Sequence, residues 1–162
     1  MSLPHPRSVE YMRTRKKQFL MSMSLIMIGF LALVATASAE NWPGFRGPSR
    51  QGVSVEAHLP LHWDTTNNVL WKTAIPPLGW SSPIVWGERV FVTTATDGGK
   101  SLHLLCLDAG KGAILWDKEV LEQDPVRKDG GISFATPTPV TDGQRVSVVS
   151  FNGAFAAVTL DG

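Results

Sequence analysis

The stretch Ser82-Pro83-Ile84-Val85-Trp86-Gly87-Glu88-Arg89-Val90-Phe91-Val92 lies without a gap over Thr138-Pro139-Val140-Thr141-Asp142-Gly143-Gln144-Arg145-Val146-Ser147-Val148. The shared pattern is Ser/Thr-Pro-Ile/Val followed by Gly-x-Arg-Val-x-Val, at an offset of 56. Self-similarity of this kind marks a repeat architecture. Two further matches extend it. Leu102 to Asp108 lies over Phe155 to Asp161 at an offset of 53, and Val69-Leu70-Trp71-Lys72 lies over Ile114-Leu115-Trp116-Asp117 at an offset of 45. Loops account for the unequal offsets. The polar stretch Leu121 to Gly131 lengthens one connection as an insertion, and Asn152-Gly153 is a shorter turn than Asp97 to Ser101.

Each copy divides into short strands separated by turn chemistry. Pro83 to Trp86 is a short strand ended by Gly87-Glu88. Arg89 to Ala95 alternates side chains and is rich in β-branched residues, as a strand prefers. Leu102 to Leu107 is nearly all apolar, the pattern of a strand covered on both faces. Ala113 to Glu119 follows the turn Asp108 to Gly112 as a fourth strand. In the second copy Asp142-Gly143 and Asn152-Gly153 are hairpin signals, because both central residues of such turns take positive φ. No stretch after residue 39 has sustained helical periodicity. The expectation is an all-β fold, a β-propeller of four-stranded antiparallel blades. A jelly roll or sandwich would also give short strands, without repeating residues at matching strand positions.

Outward from the repeat, composition divides the chain at residue 39. All five Met and the one Tyr lie before the division, and all six Trp lie after it. Residues 1–39 hold five basic residues and one acidic, and residues 40–162 hold ten basic and thirteen acidic. Arg13, Arg15, Lys16 and Lys17 precede an uncharged run from Leu20 to Val34, then Ala37-Ser38-Ala39. Basic, apolar, small is the order of a secretory signal peptide, so residues 1–39 read as a leader cleaved after Ala39. An uncleaved anchor is the rival, but a span needs about 20 apolar residues. Residues 1–11 add nothing to the signal, and Met12 is an alternative start. The expected address is therefore exported, periplasmic or extracellular, with no stable membrane span after cleavage. A net charge of +1 gives no sign of a nucleic-acid partner.

Leu107-Asp108-Ala109-Gly110-Lys111-Gly112-Ala113-Ile114-Leu115-Trp116 resembles the Leu-Asp-Ala-x-Thr-Gly-x-x-Leu-Trp signature of the pyrroloquinoline-quinone (PQQ) repeat propellers, with Lys111 where Thr is usual. Asn41-Trp42-Pro43-Gly44-Phe45-Arg46-Gly47-Pro48 resembles the opening of exported bacterial PQQ-like repeat proteins, and Asn68 to Lys72 and Gly79 to Pro83 extend the match. The resemblance covers residues 41–162. It implies one of two functional classes. One is a binding scaffold such as the outer-membrane β-barrel assembly lipoprotein. The other is a quinoprotein dehydrogenase holding PQQ and Ca²⁺ in the central funnel. The chain lacks the lipid-attachment Cys of the first. It also lacks the adjacent Cys pair and the acidic and Asn metal ligands of the second, so no catalytic residue carries over and no cofactor is assigned.

Propellers have about 4–8 blades of about 40–45 residues. Residues 40–162 number 123, enough for one full blade, one partial blade and one closing strand around Trp71. The expectation is an incomplete N-terminal portion of a propeller about three times longer. Three functional readings follow. The first is a binding or scaffold role in the cell envelope, with a protein or small molecule at the funnel. The second is the N-terminal part of a PQQ-dependent oxidoreductase. The third is a truncated fragment without independent function.

Candidate ligand-facing residues sit where the chain enters the strands nearest a propeller axis: Trp80, Ser81 and Ser82 in the first copy, Phe134 and Thr136 in the second. Their hydroxyls can equally satisfy turn backbone. Trp71 and Trp116 share one outer-strand position and read as packing between blades. Asp108 and Asp161 read as Asx-turn residues, and the recurrent Arg89 and Arg145 as structural bridges or solvated edges. Cys106, within an apolar run, reads as a buried small hydrophobe. His58, His62 and His103 are scattered, without ligand spacing.

Overall fold

The computed structural model describes residues 39–162 except 58, 77–78 and 123–134. The leader (residues 1–39) therefore lies outside the described residues save for Ala39, as do Phe134 and most of the Leu121–Gly131 insertion. The described chain is all-β with almost no helix. One antiparallel sheet runs β1 (Ile84–Trp86), β2 (Arg89–Thr96), β3 (Ser101–Asp108) and β4 (Ile114–Glu122) in sequence order. A second comprises β5 (Val140–Thr141), β6 (Arg145–Val149) and β7 (Phe155–Thr159). Neither sheet closes on itself. Asp97–Gly99 forms a single 3₁₀ turn between β2 and β3.

The repeat offset is structural as well as textual. β1, β2 and β3 correspond in order and pairing to β5, β6 and β7. β4 runs farther than the sequence pattern suggests, taking Leu121 and Glu122 into the ladder opposite Leu102 and Ser101. The expected strand around Trp71 is not found: residues 69–72 belong to neither sheet. Instead Trp71 donates its indole N–H to the carbonyl of Ala109 at 2.8 Å, in the β3–β4 turn.

Register explains the core. Ile84 stands opposite Phe91, Phe91 opposite Cys106, and Cys106 opposite Trp116, one row across all four strands. Ile84, Phe91 and Cys106 are fully buried, together with Leu102, Leu104, Val146 and, at 2% exposure, Val148. These side chains form one cluster shared by the two sheets, ringed by Trp86, Trp116, Val120, Val158 and Leu160. Each large apolar side chain so buried contributes about 1.5–3 kcal/mol. The Phe91 and Trp116 rings sit 5.9 Å apart at 50°, a favoured tilted aromatic pair. β3 is covered on both faces, as its apolar run predicts, with only His103 and Asp108 partly open.

Indoles set the spacing at three glycines, among them Gly47 (φ +70°), where a Cβ would lie 2.6 Å from the Trp42 ring. At Gly112 (φ +68°) a Cβ would lie 2.4 Å from the Trp71 ring, and at Gly143 (φ +88°) 2.3 Å from Trp86. Both positions demand a left-handed backbone and a bare Cα. Trp116 lies beside Gly162 in the same manner, at 3.5 Å from an ideal Cβ.

Two outcomes follow. Gly143→Ala should lower stability in a urea titration by roughly 1–3 kcal/mol. Gly153→Ala, at a like φ of +87° but facing open space, should cost measurably less. Cys106 is wholly buried, and burial pushes its thiol up to about 11. It should resist thiol reagents at pH 8 in the native protein and react fully once unfolded, as a timed Ellman assay would show.

Candidate functional site

Three places bring polar side chains together. The first is the pair of stretches leading into β1 and β5, where Trp80, Ser81, Ser82 and Thr136 lie. They meet over β2. The Trp80 amide donates to the Ala135 carbonyl at 3.2 Å, and the Ser82 amide donates to Thr138 Oγ1 at 3.1 Å. Ser81 is fully engaged with backbone: Oγ donates to the Thr93 carbonyl at 3.2 Å and accepts from the Thr93 amide at 3.1 Å. Thr93 and Thr94 are buried, and their hydroxyls donate to the carbonyls of Pro137 and Pro76. Gly79 completes the seam, since a Cβ there would lie 2.8 Å from the Thr93 carbonyl. The hydroxyls of Ser81, Thr93 and Thr94 thus tie two chain segments to β2. The Trp80 ring, 62% exposed, is the side chain the seam presents outward.

The second place is the polar face of β3 and β4. His103 Nδ1 lies 2.8 Å from Asp117 Oδ1, and Nε2 lies 3.0 Å from Ser101 Oγ and 3.3 Å from Thr96 Oγ1. His103 is therefore not isolated. The connectivity is that of a hydroxyl–imidazole–carboxylate relay. Ser101, however, is only 5% exposed at the head of β3, too enclosed for attack on a substrate. The group ties together β2, β3 and β4 at their polar edge. Its sequence signal, Ser-x-His with an Asp on the next strand, is legible only once the β3–β4 register is known.

The third place is an open groove of about 560 Å³ between residues 43–50 and β5–β6, within the size range of small-molecule sites. Trp42 anchors its wall by pairing with Val85 through both backbone groups, at 2.8 and 2.9 Å, and the Thr141 amide donates to the Pro43 carbonyl at 2.9 Å. Phe45 (67% exposed), Arg46 and Arg50 line it, facing Val140, Asp142 and Ser147. Neither guanidinium has an ion-pair or hydrogen-bond partner among the described residues. Asp142 Oδ1 accepts the amides of Gln144 and Arg145, both at 2.8 Å. Those bonds, Arg145 first, hold its carboxyl below the usual range. Two cations, an aromatic ring and a fixed carboxylate can take a ligand carrying an anionic group beside an apolar one. In the sequence the Asn41–Pro48 segment stands out only for its family resemblance, not as a site. Its partner across the groove comes from residues a hundred positions away.

Other expected residues fall as follows. Asp108 Oδ1 accepts the Lys111 amide at 2.7 Å, the expected turn bond. Asp161 differs: its carboxylate pairs with Arg89 at 2.7 Å, while a second Arg89 N–H reaches the Leu160 carbonyl. Arg89 is thus a bridge from β2 to the end of the second sheet, and Arg145 is exposed at the matching place. His58 lies outside the described residues. Among the described residues no group of three or more His, Cys, Asp or Glu has metal-binding geometry, and no helix is long and apolar enough to cross a membrane. No family model, curated protein or solved structure matches the chain.

The Asp142 carboxylate should titrate below the ordinary carboxylate range by ¹³C NMR, and Asp64, bonded by Asn67 and Thr66, lower still. A depressed native pKa stabilises above the unfolded value and is lost as pH falls. Both turns should therefore begin to loosen as pH falls below the ordinary carboxylate range, with Asp142→Ala removing the pH dependence at its own turn.

Proposed function

We infer that this chain belongs to an exported β-propeller-type repeat protein of the PQQ-like kind, acting as a binding or scaffold module of the cell envelope. The observation that carries the architecture is a contact that recurs with the repeat. Trp71 rests on the Ala109–Gly112 turn, and Trp116, 45 positions on, rests beside Gly162, the counterpart of Ala109 at an offset of 53. A contact that recurs from sheet to sheet is what radial repetition of one unit needs. The Arg89 bridge to Leu160 and Asp161 adds a polar link across the same junction.

The binding role rests on the groove beside Phe45, Arg46 and Arg50, a ready-made recess whose two cations have no ion-pair partner among the described residues. The relay around His103 favours no reaction, because its hydroxyl is enclosed. Export rests on the order of basic, apolar and small residues from Arg13 to Ala39.

Two measurements test the reading. Secreted from a bacterial host, the full chain should yield a product whose N-terminal sequence begins at Glu40; a product retaining its leader would overturn export. Adding PQQ and Ca²⁺ to the purified protein should leave no protein-bound quinone absorption after gel filtration. A retained band would instead favour the oxidoreductase.

A further inference from the structure

The two copies of the repeat differ where the groove lies. Ile84, Trp86 and Phe91 of the first copy correspond, at the offset of 56, to Val140, Asp142 and Ser147 of the second. The register is the same in both: Ile84 stands opposite Phe91, and Val140 opposite Ser147. In the first copy these positions are core, with Ile84 and Phe91 fully buried and Trp86 packed against their cluster. In the second, a carboxylate and a hydroxyl replace the indole and the phenyl ring, and all three residues line the groove. A row that served packing alone has no use for a carboxylate, whose burial is costly.

The facing wall is held firmly. Asn41 Oδ1 accepts the Gly87 amide at 2.7 Å, Trp42 exchanges both backbone bonds with Val85, and the Pro43 carbonyl accepts the Thr141 amide. Residues 41–43 are thus tied to both β1 and β5. Two turns follow: the Gly47 amide donates to the Gly44 carbonyl at 3.0 Å, and the Arg50 amide to the Gly47 carbonyl at 3.2 Å. Arg50 takes a left-handed backbone, φ +58°, which Gly or Asn would adopt with less strain. Such an outlier at the rim of a recess points to a functional side chain.

The two walls carry opposite charge. Arg46 and Arg50 share the recess with Asp142, yet neither pairs with it. Asp142 Oδ1 accepts two turn amides, which leaves Oδ2 without a hydrogen bond among the described residues. The Ser147 hydroxyl also has none among them. A plain anion would meet the Asp142 carboxylate, and a plain cation would meet two guanidiniums. A molecule bearing both charges suits both walls. A recess of about 560 Å³ has room for one whose charges lie several bonds apart.

We propose that the groove binds a short peptide with both ends free, its carboxylate across Arg46 and Arg50, its ammonium at Asp142 Oδ2 beside Ser147, and an apolar side chain on Phe45 and Val140. This assignment rests on the binding role given to the groove above. Guanidiniums grip a carboxylate at two points, so the peptide's direction across the groove is fixed.

The test is calorimetric titration of the full chain with the dipeptide leucyl-phenylalanine, its N-acetyl form and its C-terminal amide. The free dipeptide should bind saturably, and each blocked form roughly tenfold more weakly. Asp142→Asn, which keeps an oxygen for the turn amides, should abolish the preference over the acetylated form and retain that over the amide. Arg46→Gln with Arg50→Gln should do the reverse. Protection of Cys106 from thiol reagents shows that each variant is folded. No saturable binding of the free dipeptide overturns the proposal, as do preferences that survive these substitutions. Equal affinity for all three forms overturns it too. If Arg46→Gln with Arg50→Gln still weakens that equal binding, the groove remains a binding site for other chemistry, whereas quinone retention tells against the binding reading itself.

Discussion

An indole lying on a glycine turn is the contact from which the geometry of this chain follows. Trp71 presses on Gly112, Trp86 on Gly143, and Trp116 lies beside Gly162. A flat ring of this size buries about 150–250 Å² and admits little play in its distance from the backbone beneath it. Each of these turns therefore stands at a set distance from the segment that carries the ring. The shared cluster around Phe91 and Cys106 can then fill without gaps, and Arg89 falls within reach of Leu160 and Asp161. Were the turns to carry side chains, the rings would lift. The polar links at the junction would stretch and the apolar face would open to water.

The strands were legible because their local rules agree with their final environment. Alternation in Arg89 to Thr96, the apolar run of β3 and the Asp-Gly and Asn-Gly turns all act over a few residues, and the folded chain obeys them. What failed was the assignment that depended on a partner. Residues 69–72 read as a strand because they copy β4, but a strand exists only where another chain segment accepts its hydrogen bonds. Asp161 likewise copies Asp108 in sequence. It is drawn to Arg89, a charge 72 positions away that no local pattern places beside it. The groove was hidden for the same reason: its two walls are distant in sequence and meet only through the bonds of Trp42 to Val85 and Thr141 to Pro43.

The residues that looked most available in the sequence are the ones the fold consumes. Ser and Thr before a strand offer hydroxyls that a ligand might use, but buried backbone has first claim on them. Ser81 closes a reciprocal pair with Thr93, and Thr138 satisfies the amide of Ser82. The groups left outward are the Trp80 ring, the Phe45 ring and the guanidiniums of Arg46 and Arg50. The surface therefore presents aromatic rings and cations rather than hydroxyls.

The first sheet takes its strands in sequence order, each paired with the one before it. Every ladder bond in it closes a short loop, and short loops cost little chain entropy to close. Contacts this local let the first sheet form hairpin by hairpin without contacts from distant parts of the chain. The second sheet, by contrast, buries Val146 and Val148 in the cluster it shares with the first.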